Sequence, residues 1–441
     1  MSYPLSSPVV EGQATEAAQY NNLRADALYL GNAPSASGTV RDLLFSAASN
    51  YSMVQVGRAQ IKVPATAMQP VGLAISGAVY TVTADVSLTV SADTTPNAGR
   101  YAVYAIGNAG TFSLALAAGN NSRIIGYFCW DGTGIIPGTV HTSAEWALMG
   151  LKRPEDAAGR LSLASDPVPD VDIDMGTVLN FLPYNGNEIG LKLYGEWEFF
   201  TWQSLTLTAS GLIRELPYDV FLGADANGLG LEAVPWISSA NRGTGALAFV
   251  DGIRVSGSNA GKRFLGTFVI NAGGYFEDSR SARLLWNENN RVSRSILQRL
   301  STQKNQGVSH MGSWAPYFDE DAPTVRLLIA GADVDFSLIG IGISSMITET
   351  DAGYNRAACI GIVQDCVMDS PWTGNQNAVP VFTHTCSKGP VSAELTNYDP
   401  ALVGYHGYTL AFWSNYSFYP MGKSLNAGCG EVPGLYGKIW A

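Results

Sequence analysis

Residues 78–90 read AVYTVTADVSLTV, and this stretch decides the fold class. Apolar and polar side chains alternate along it, with the period of two that a half-buried β-strand requires. Similar alternation occurs upstream at Val54–Val56 and Ala59–Val63 and downstream at Tyr101–Tyr104 and Ile124–Phe128. Gly, Pro and Asn lie between these runs, where they favour turns. The pattern therefore predicts a chain built mainly from strands.

The composition agrees with this interpretation. Charged residues make up 14% of the 441 residues, well below the roughly 25% of an average soluble domain. The chain contains 48 glycines and has no long Lys- and Glu-rich stretch of the kind that forms surface helices. Hydrophobic residues make up 46%, enough to fill several cores, and the length is typical of about three domains. We predict an all-β protein with one or two helices.

The strand pattern of the first half occurs twice in the same order. The corresponding segments are Ser87–Val90 and Ser204–Leu207, Tyr101–Tyr104 and Tyr218–Phe221, Asn108–Gly110 and Ala226–Gly228, and Arg123–Gly126 and Arg263–Gly266. The second copy carries an insertion, roughly from Pro235 to Gly261. Repetition in a fixed order is typical of tandem modules, although chance similarity between β-rich segments is the alternative. We predict tandem β-sandwich-like domains at 43–150 and 151–294, an N-terminal arm at 1–42 and a C-terminal β domain at 295–441.

The segment Gln13–Leu30 differs from the rest because its composition favours a helix. Tyr20, Leu23, Ala27 and Leu30 are spaced so that they share one helical face. A single short amphipathic helix is not stable alone in water, so this face must pack against something. The partner is either the chain's own domains or another chain, in which case the segment is an anchor or a trimerisation element.

The charge balance and the apolar segments exclude two classes of partner. The net charge is −11 and the isoelectric point about 4.9, so a phosphate backbone would be repelled and nucleic-acid binding is disfavoured. The sequence contains no run of 18 or more apolar residues, so no membrane-spanning helix is predicted. The opening MSYPLSSP lacks the basic and apolar regions of a signal peptide. If this protein works outside a cell, we therefore expect it to be released by another route, such as cell lysis.

Five cysteines are present, and four of them lie in the last third of the chain. Cys359, Cys366, Cys386 and Cys429 are candidates for disulfides, with three connectivities open. The alternative is that they are buried free thiols, which behave as small apolar side chains. The spacing contains no CxxC pair and therefore argues against a zinc site.

Acidic and histidine residues give no strong signal for a metal or a catalytic centre. The run Asp166, Asp170, Asp172 and Asp174 lacks the Gly and closing Glu of an EF-hand loop, and its alternation favours an edge strand over a calcium site. His141, His310, His384 and His406 show no metal-binding spacing, and no GxSxG or phosphate-binding motif occurs. We predict no catalytic residue, no metal and no cofactor.

Several short segments, taken in order, resemble a module common in tailed-bacteriophage minor structural and fibre proteins. They are Leu182–Leu191, Tyr218–Phe221, Ala246–Gly252, Arg263–Thr267, Glu277–Ser279 and Leu285–Val292. The ends Val403–His406 and Gly434–Trp440 resemble the close of such proteins, and Gln19–Asp26 is similar to their opening helix. The similarity extends over roughly two thirds of the chain, and the order of the pieces is more specific than any one of them.

The resemblance implies a virion component made in the host cytoplasm, without a catalytic residue to carry over. We expect a tail fibre or tail appendage that docks on other virion proteins through Tyr20, Leu23, Ala27 and Leu30. The aromatic C-terminal loops, with Trp314, Tyr317, Trp372 and Tyr416, are candidates for contact with a host glycan or protein, because such side chains bury large areas. Filling of a core or of a subunit interface is the alternative role for these aromatics.

By analogy with the family, we expect a homotrimer. A capsid decoration or head fibre is the first alternative for the function. A polysaccharide-degrading tailspike that uses paired carboxylates is the second.

Overall fold

The computed structural model describes residues 51–299, except Pro96, Glu155, Asp156 and Asp170, together with strands of the C-terminal third. These strands lie within 314–316, 324–330, 336–344, 358–364, 381–386, 389–396, 403–414 and 434–440. The predicted all-β class is confirmed, since these ranges contain many strands in several sheets and one short helix. The predicted helix at 13–30 lies outside the described residues.

The chain divides into two compact units. The described residues up to Pro154 join Gly190–Phe200 and Ala224–Gly230 in the first unit, and the other described residues form the second. The domain boundaries expected from the sequence remain predictions. None of the helices in the described ranges is long and apolar enough to cross a membrane.

Nine strands and a helix come first in the part of the chain that the structure describes. They are β1 (Val54–Gln55), β2 (Gln60–Val63), β3 (Val71–Ile75), β4 (Ala78–Val82), β5 (Val86–Thr89), β6 (Gly99–Asn108), β7 (Thr111–Ala115), β8 (Ser122–Trp130), β9 (His141–Thr142) and α1 (Ser143–Met149). The sheet orders are β1-β2-β5, β3-β4 and β7-β6-β8-β9. The alternation predicted at 78–90 thus spans two strands, β4 and β5.

One core joins the three sheets of this first region. Ile61 of β2, Leu73 of β3, Val103 of β6 and Phe128 of β8 are fully buried in the same cluster. Alternate residues of β2 and β3 are buried in this cluster, as the period of two predicts. The packing of sheet faces against one another gives a sandwich-like arrangement.

The second stretch of strands runs from residue 159 to 287. It contains β10 (Gly159–Ser162), β11 (Ile173–Gly176), β12 (Val178–Pro183), β13 (Glu188–Leu193), β14 (Glu196–Thr201), β15 (Leu205–Thr208), β16 (Pro217–Asp225), β17 (Gly228–Pro235), β18 (Leu247–Val250), β19 (Ile253–Ser256), β20 (Asn259–Val269), β21 (Phe276–Ser279), β22 (Ala282–Arg283) and β23 (Leu285–Asn287). Three of its sheets have the orders β10-β12-β15, β13-β14 and β17-β16-β20-β19-β18, and β23 pairs with β20.

The last strands complete two further sheets. They are β24 (Ser293–Arg299), β25 (Trp314–Pro316), β26 (Thr324–Ile329), β27 (Phe336–Ser344), β28 (Ala358–Gln364), β29 (Val381–Cys386), β30 (Gly389–Thr396), β31 (Gly404–Ser414) and β32 (Gly434–Trp440). One sheet has the order β24-β32-β27-β30. The other has the order β11-β21-β22-β26-β31-β28-β29, with β25 also pairing β31. Phe264, Trp286, Leu327, Tyr408 and Ile439 lie in one buried cluster, so these sheets share a core in the second unit.

The two β regions that look alike in sequence share one topology. Sheet β1-β2-β5 corresponds to β10-β12-β15, hairpin β3-β4 to β13-β14, and the run β7-β6-β8 to β17-β16-β20. Both hairpins turn through two residues of positive φ, Ser76-Gly77 and Tyr194-Gly195. That conformation is the type I′ turn, whose twist matches the flanking strands.

The correspondence extends to single residues. The register shifts between Val103 and Tyr104 of β6, opposite Gly126 and Ile124, and between Val220 and Phe221 of β16, opposite Gly266 and Phe264. Each shift leaves one extra residue on the partner strand, which is a β-bulge.

The same rings also stack beside each bulge. Tyr101 stacks on Phe128 with ring centroids 5.7 Å apart, and Tyr218 stacks on Phe268 at 5.4 Å. Because bulges and stacked pairs occupy equivalent positions, these features support the interpretation of the two regions as copies of one module.

Helix α1 is one element that the sequence analysis does not predict. Thr142 is its N-cap, and the Thr142 side chain accepts a hydrogen bond from the Glu145 backbone N–H. The Glu145 carboxylate in turn accepts from the Thr142 N–H at 2.7 Å. This reciprocal pair is a capping box, whose T-x-x-E signature is visible in the sequence.

Candidate functional site

A buried cluster in the first unit brings together a thiol, an imidazole and a carboxylate. Glu198 of β14 is 1% exposed. Its Oε1 accepts from Arg100 Nη2 at 2.7 Å and from the Cys129 thiol at 3.5 Å, and its Oε2 lies 3.1 Å from His141 Nε2. The Arg100 guanidinium also lies over the Trp146 ring at 4.1 Å. Cysteine, histidine and glutamate are the residue types of nucleophilic catalysis, so their arrangement matters.

The geometry favours a structural role for this cluster. Burial, followed by the charge of Glu198, raises the pKa of the Cys129 thiol well above its ordinary value. A reactive cysteine needs the opposite, a thiolate stabilised by a cation in an accessible place. Cys129 is fully buried, and both its thiol and His141 contact the same carboxylate. The cluster therefore ties β6, β8, β9 and β14 together.

The acidic run at 166–174 is described in part. Strand β11 begins at Ile173, pairs with β21 and lies at one end of its sheet, in agreement with the predicted edge strand. The Asp172 carboxylate is 3.5 Å from Arg283 and 3.6 Å from Arg280, so it faces guanidinium groups. Within the described ranges, no group of three or more His, Cys, Asp or Glu residues is placed to hold a metal ion.

A cleft of about 180 Å³ in the second unit is lined by both charged and apolar residues. Its floor is formed by Asp219 and Phe221 of β16, both 2% exposed. Its wall and lip come from β17, from the insertion that follows β17 and from the start of β20. These lining residues are Glu232, Val234, Pro235, Arg242, Thr244, Gly245, Ala246, Ser256, Ser258 and Lys262.

Two ion pairs neutralise the charges of the cleft. On the floor, Arg242 Nε lies 2.8 Å from Asp219 Oδ2. Near the mouth, Lys262 is paired with Glu232, and both side chains are partly exposed. Two acids and two bases leave the lining with no net formal charge.

The carboxylate of Asp219 has three polar partners, Arg242, Trp236 and Thr267. Its Oδ1 accepts from the Trp236 indole at 2.9 Å and from the Thr267 hydroxyl at 2.8 Å. Burial raises the pKa of Asp219 above its ordinary value, against the opposing effects of Arg242 and these hydrogen bonds. Arg242 lies over the Trp236 ring at 4.5 Å, which fixes the insertion on the sheet.

The residues predicted from the sequence are located as follows. The docking residues Tyr20, Leu23, Ala27 and Leu30, and the aromatic residues Tyr317, Trp372 and Tyr416, lie outside the described residues. Trp314 begins β25, opposite Trp413 of β31. Of these candidates, the structure describes Trp314 alone, and all of them remain predictions.

The candidate cysteines are described in part. The backbone register places Cys359 of β28 opposite Cys386 of β29, whereas Cys366 and Cys429 lie outside the described residues. Opposed Cα atoms of antiparallel strands are about 4.5–5.5 Å apart, within the span of a disulfide. The disulfides among the four cysteines remain predictions.

The charged residues of the cleft form no motif in the sequence. Asp219, Arg242 and Lys262 are separated by about 20 residues each, and no motif links them. The one signal that points to the cleft is the insertion after β17, which has no counterpart in the first module.

The chain was also compared with known proteins. No protein-family model matches it, and no curated protein matches its sequence.

Proposed function

We propose that this chain is a structural protein of a tailed-bacteriophage virion, a tail fibre or tail appendage that binds rather than catalyses. The observation that supports this most is the repeated module. Two regions of one chain share sheet order, bulge position and stacked rings. Tandem copies of a β-module extend a chain from one attachment point without a new fold. The assignment to phage structural proteins comes from the sequence segments that resemble such proteins in the same order.

Within this proposal, the ends of the chain have separate roles. The N-terminal segment, through Tyr20, Leu23, Ala27 and Leu30, docks on another virion protein. The C-terminal domain, with Trp314, Tyr317, Trp372 and Tyr416, contacts the host surface. By analogy with phage fibres, the protein is a homotrimer, in which three-fold packing would bury strand edges and apolar helix faces.

Localisation on purified particles tests the proposal. We expect peptides of this chain in the mass spectrum of purified virions, and a gold label attached near Tyr3 at the tail. A label on the capsid would establish the alternative of a head fibre or decoration protein. Purified particles without the protein would overturn the proposal altogether.

A degradation assay tests the enzymatic alternative. Asp219 and Glu232 line one cleft, and a pair of carboxylates is what glycoside hydrolysis requires. Each is engaged in an ion pair, so we expect no new reducing ends when the protein is incubated with host capsule or lipopolysaccharide. Reducing ends that disappear in Glu232→Gln would establish a polysaccharide-degrading spike instead.

A further inference from the structure

The cleft belongs to the second module alone. In the first module, β7 and β8 are joined by residues 116–121, whereas residues 236–258 join the equivalent strands β17 and β20. The longer connection forms β18 and β19 and supplies half of the cleft lining, including Arg242, Ser256 and Ser258. An addition to a duplicated scaffold is where a new function is expected, because binding residues concentrate in connecting segments.

The scaffold residue beneath the insertion has changed as well. Asp219 corresponds to Ala102 of the first module, by the match of Tyr218–Phe221 with Tyr101–Tyr104. A carboxylate has therefore been placed on a buried sheet position that holds a methyl group in the other copy. Burial of an acid is costly unless it is paired, and its partner Arg242 comes from the insertion. The Asp219 carboxylate and the insertion therefore depend on each other.

The chemistry of the lining selects a neutral ligand rich in hydroxyl groups. The two ion pairs present hydrogen-bond acceptors and donors side by side. The hydroxyls of Thr244, Ser256 and Ser258 can each donate and accept a hydrogen bond. A phosphate or other anion would gain little, because each cation already faces a carboxylate. Phe221, Val234 and Pro235 provide an apolar wall.

The size of the cleft matches the same ligand class. The cleft has a volume of about 180 Å³, which leaves room for a small ligand such as one sugar ring. A drug-sized ligand needs more room, about 300 Å³ or above. We propose that the cleft between β16–β17 and the 236–258 insertion binds a single neutral sugar residue, through the Asp219–Arg242 and Glu232–Lys262 pairs. This adds a sugar site in the second module to the host contact proposed for the C-terminal domain, and its biological meaning rests on the proposed function.

Saturation-transfer NMR on the full chain tests this site with methyl glycosides of neutral hexoses and N-acetylhexosamines. We expect one of them to bind with a dissociation constant on the order of 1 mM. Ser256→Trp fills the cleft from its lip and should weaken binding at least tenfold. Glu232→Gln breaks the outer ion pair and should weaken it several-fold. The matched controls are Ser113→Trp and Glu196→Gln, which alter exposed strand positions outside the cleft and should bind as the wild type does.

Three results would overturn the proposal. They are no binding of any probe up to about 50 mM, binding that survives Ser256→Trp, and binding of inorganic phosphate or an acidic sugar only. The outcome is separable from that of the proposed function. If the protein binds sugar but is absent from virions, the sugar site is supported and the virion function is not. If it is present in virions but binds no sugar, the virion function is supported and the sugar site is not.

Discussion

Gly126 of β8 and Gly266 of β20 lie at equivalent points of the two modules, where a third strand joins the sheet. A Cβ atom on Gly126 would lie 2.2 Å from the His141 carbonyl oxygen, and a Cβ on Gly266 would lie 2.2 Å from that of Trp286. No two such atoms approach so closely, so a side chain at either position forces the backbone apart. The requirement for glycine is therefore steric in both copies.

We predict that Gly126→Ala lowers the free energy of unfolding by about 1–3 kcal/mol, because overpacking displaces β9 from β8. Urea denaturation followed by circular dichroism measures the change. Gly230→Ala is the control, since a Cβ there meets nothing within 4 Å, and it should shift stability by less than about 0.5 kcal/mol. Equal midpoints for Gly126→Ala and the wild type would contradict the close approach.

The raised pKa of Cys129 predicts an alkaline instability. Above pH ~9, the thiol ionises in the unfolded chain but stays protonated in the folded one, so the folded state binds more protons. Its stabilising contribution is present below that pH and is lost as the pH rises. We expect stability to fall by about 1.4 kcal/mol per pH unit from this group, and the Cys129→Ala variant to lack that part of the slope. Identical slopes for the two proteins between pH 9 and 10.5 would refute the assignment.

At the scale of elements, α1 depends on its first turn. The helix has seven residues, too few for stability from propensity alone. We predict that Thr142→Ala costs about 1 kcal/mol, the usual value of a lost N-cap, measured by thermal unfolding. Glu145→Gln preserves the capping box and should be nearly neutral. If Thr142→Ala melts at the wild-type temperature, the capping hydrogen bonds of Thr142 do not stabilise the protein.

The predicted strands agree with the observed elements where alternation is strong. The pattern at Ala59–Val63 predicts β2, and those at Tyr101–Tyr104 and Ile124–Phe128 lie within β6 and β8. Alternation is reliable there because one face of each strand is buried in a core. Helix α1 is missed because its short span, Ser143–Met149, carries too few turns to show a period of 3.6 residues.

At the scale of the whole molecule, the proposed trimer is directly measurable. Light scattering of the full chain should give about three times the 46.8 kDa of one chain. Added salt should alter the mass little, because with 14% charged residues the contacts are expected to be mainly apolar. A monomeric mass at micromolar concentration would exclude the trimer.

Removal of residues 2–42 tests the proposed docking role of the N-terminal segment. The first described core begins at Tyr51, so we expect the truncated chain to keep its β-type circular dichroism and its cooperative melting. Incorporation into particles should be lost, as measured by mass spectrometry of purified virions from a complemented infection. Normal incorporation of the truncated chain would place the docking surface elsewhere.

The sequence alone determined the all-β class and pointed to a repeated module. Both depend on local alternation and on the order of short segments, and these patterns can be recognised in the sequence without any tertiary contact. The sequence also marked the insertion from Pro235 to Gly261, although not its purpose.

Only the tertiary structure decided which polar residues meet. Glu198 reaches Cys129 across 69 positions of the chain, and Arg242 reaches Asp219 only because β16 and the insertion fold onto one another. Such contacts depend on strand order and register, which are set by the packing of whole sheets. A buried acid and its distant partner leave no periodic signal in the sequence, and for that reason the cleft appears only in the folded chain.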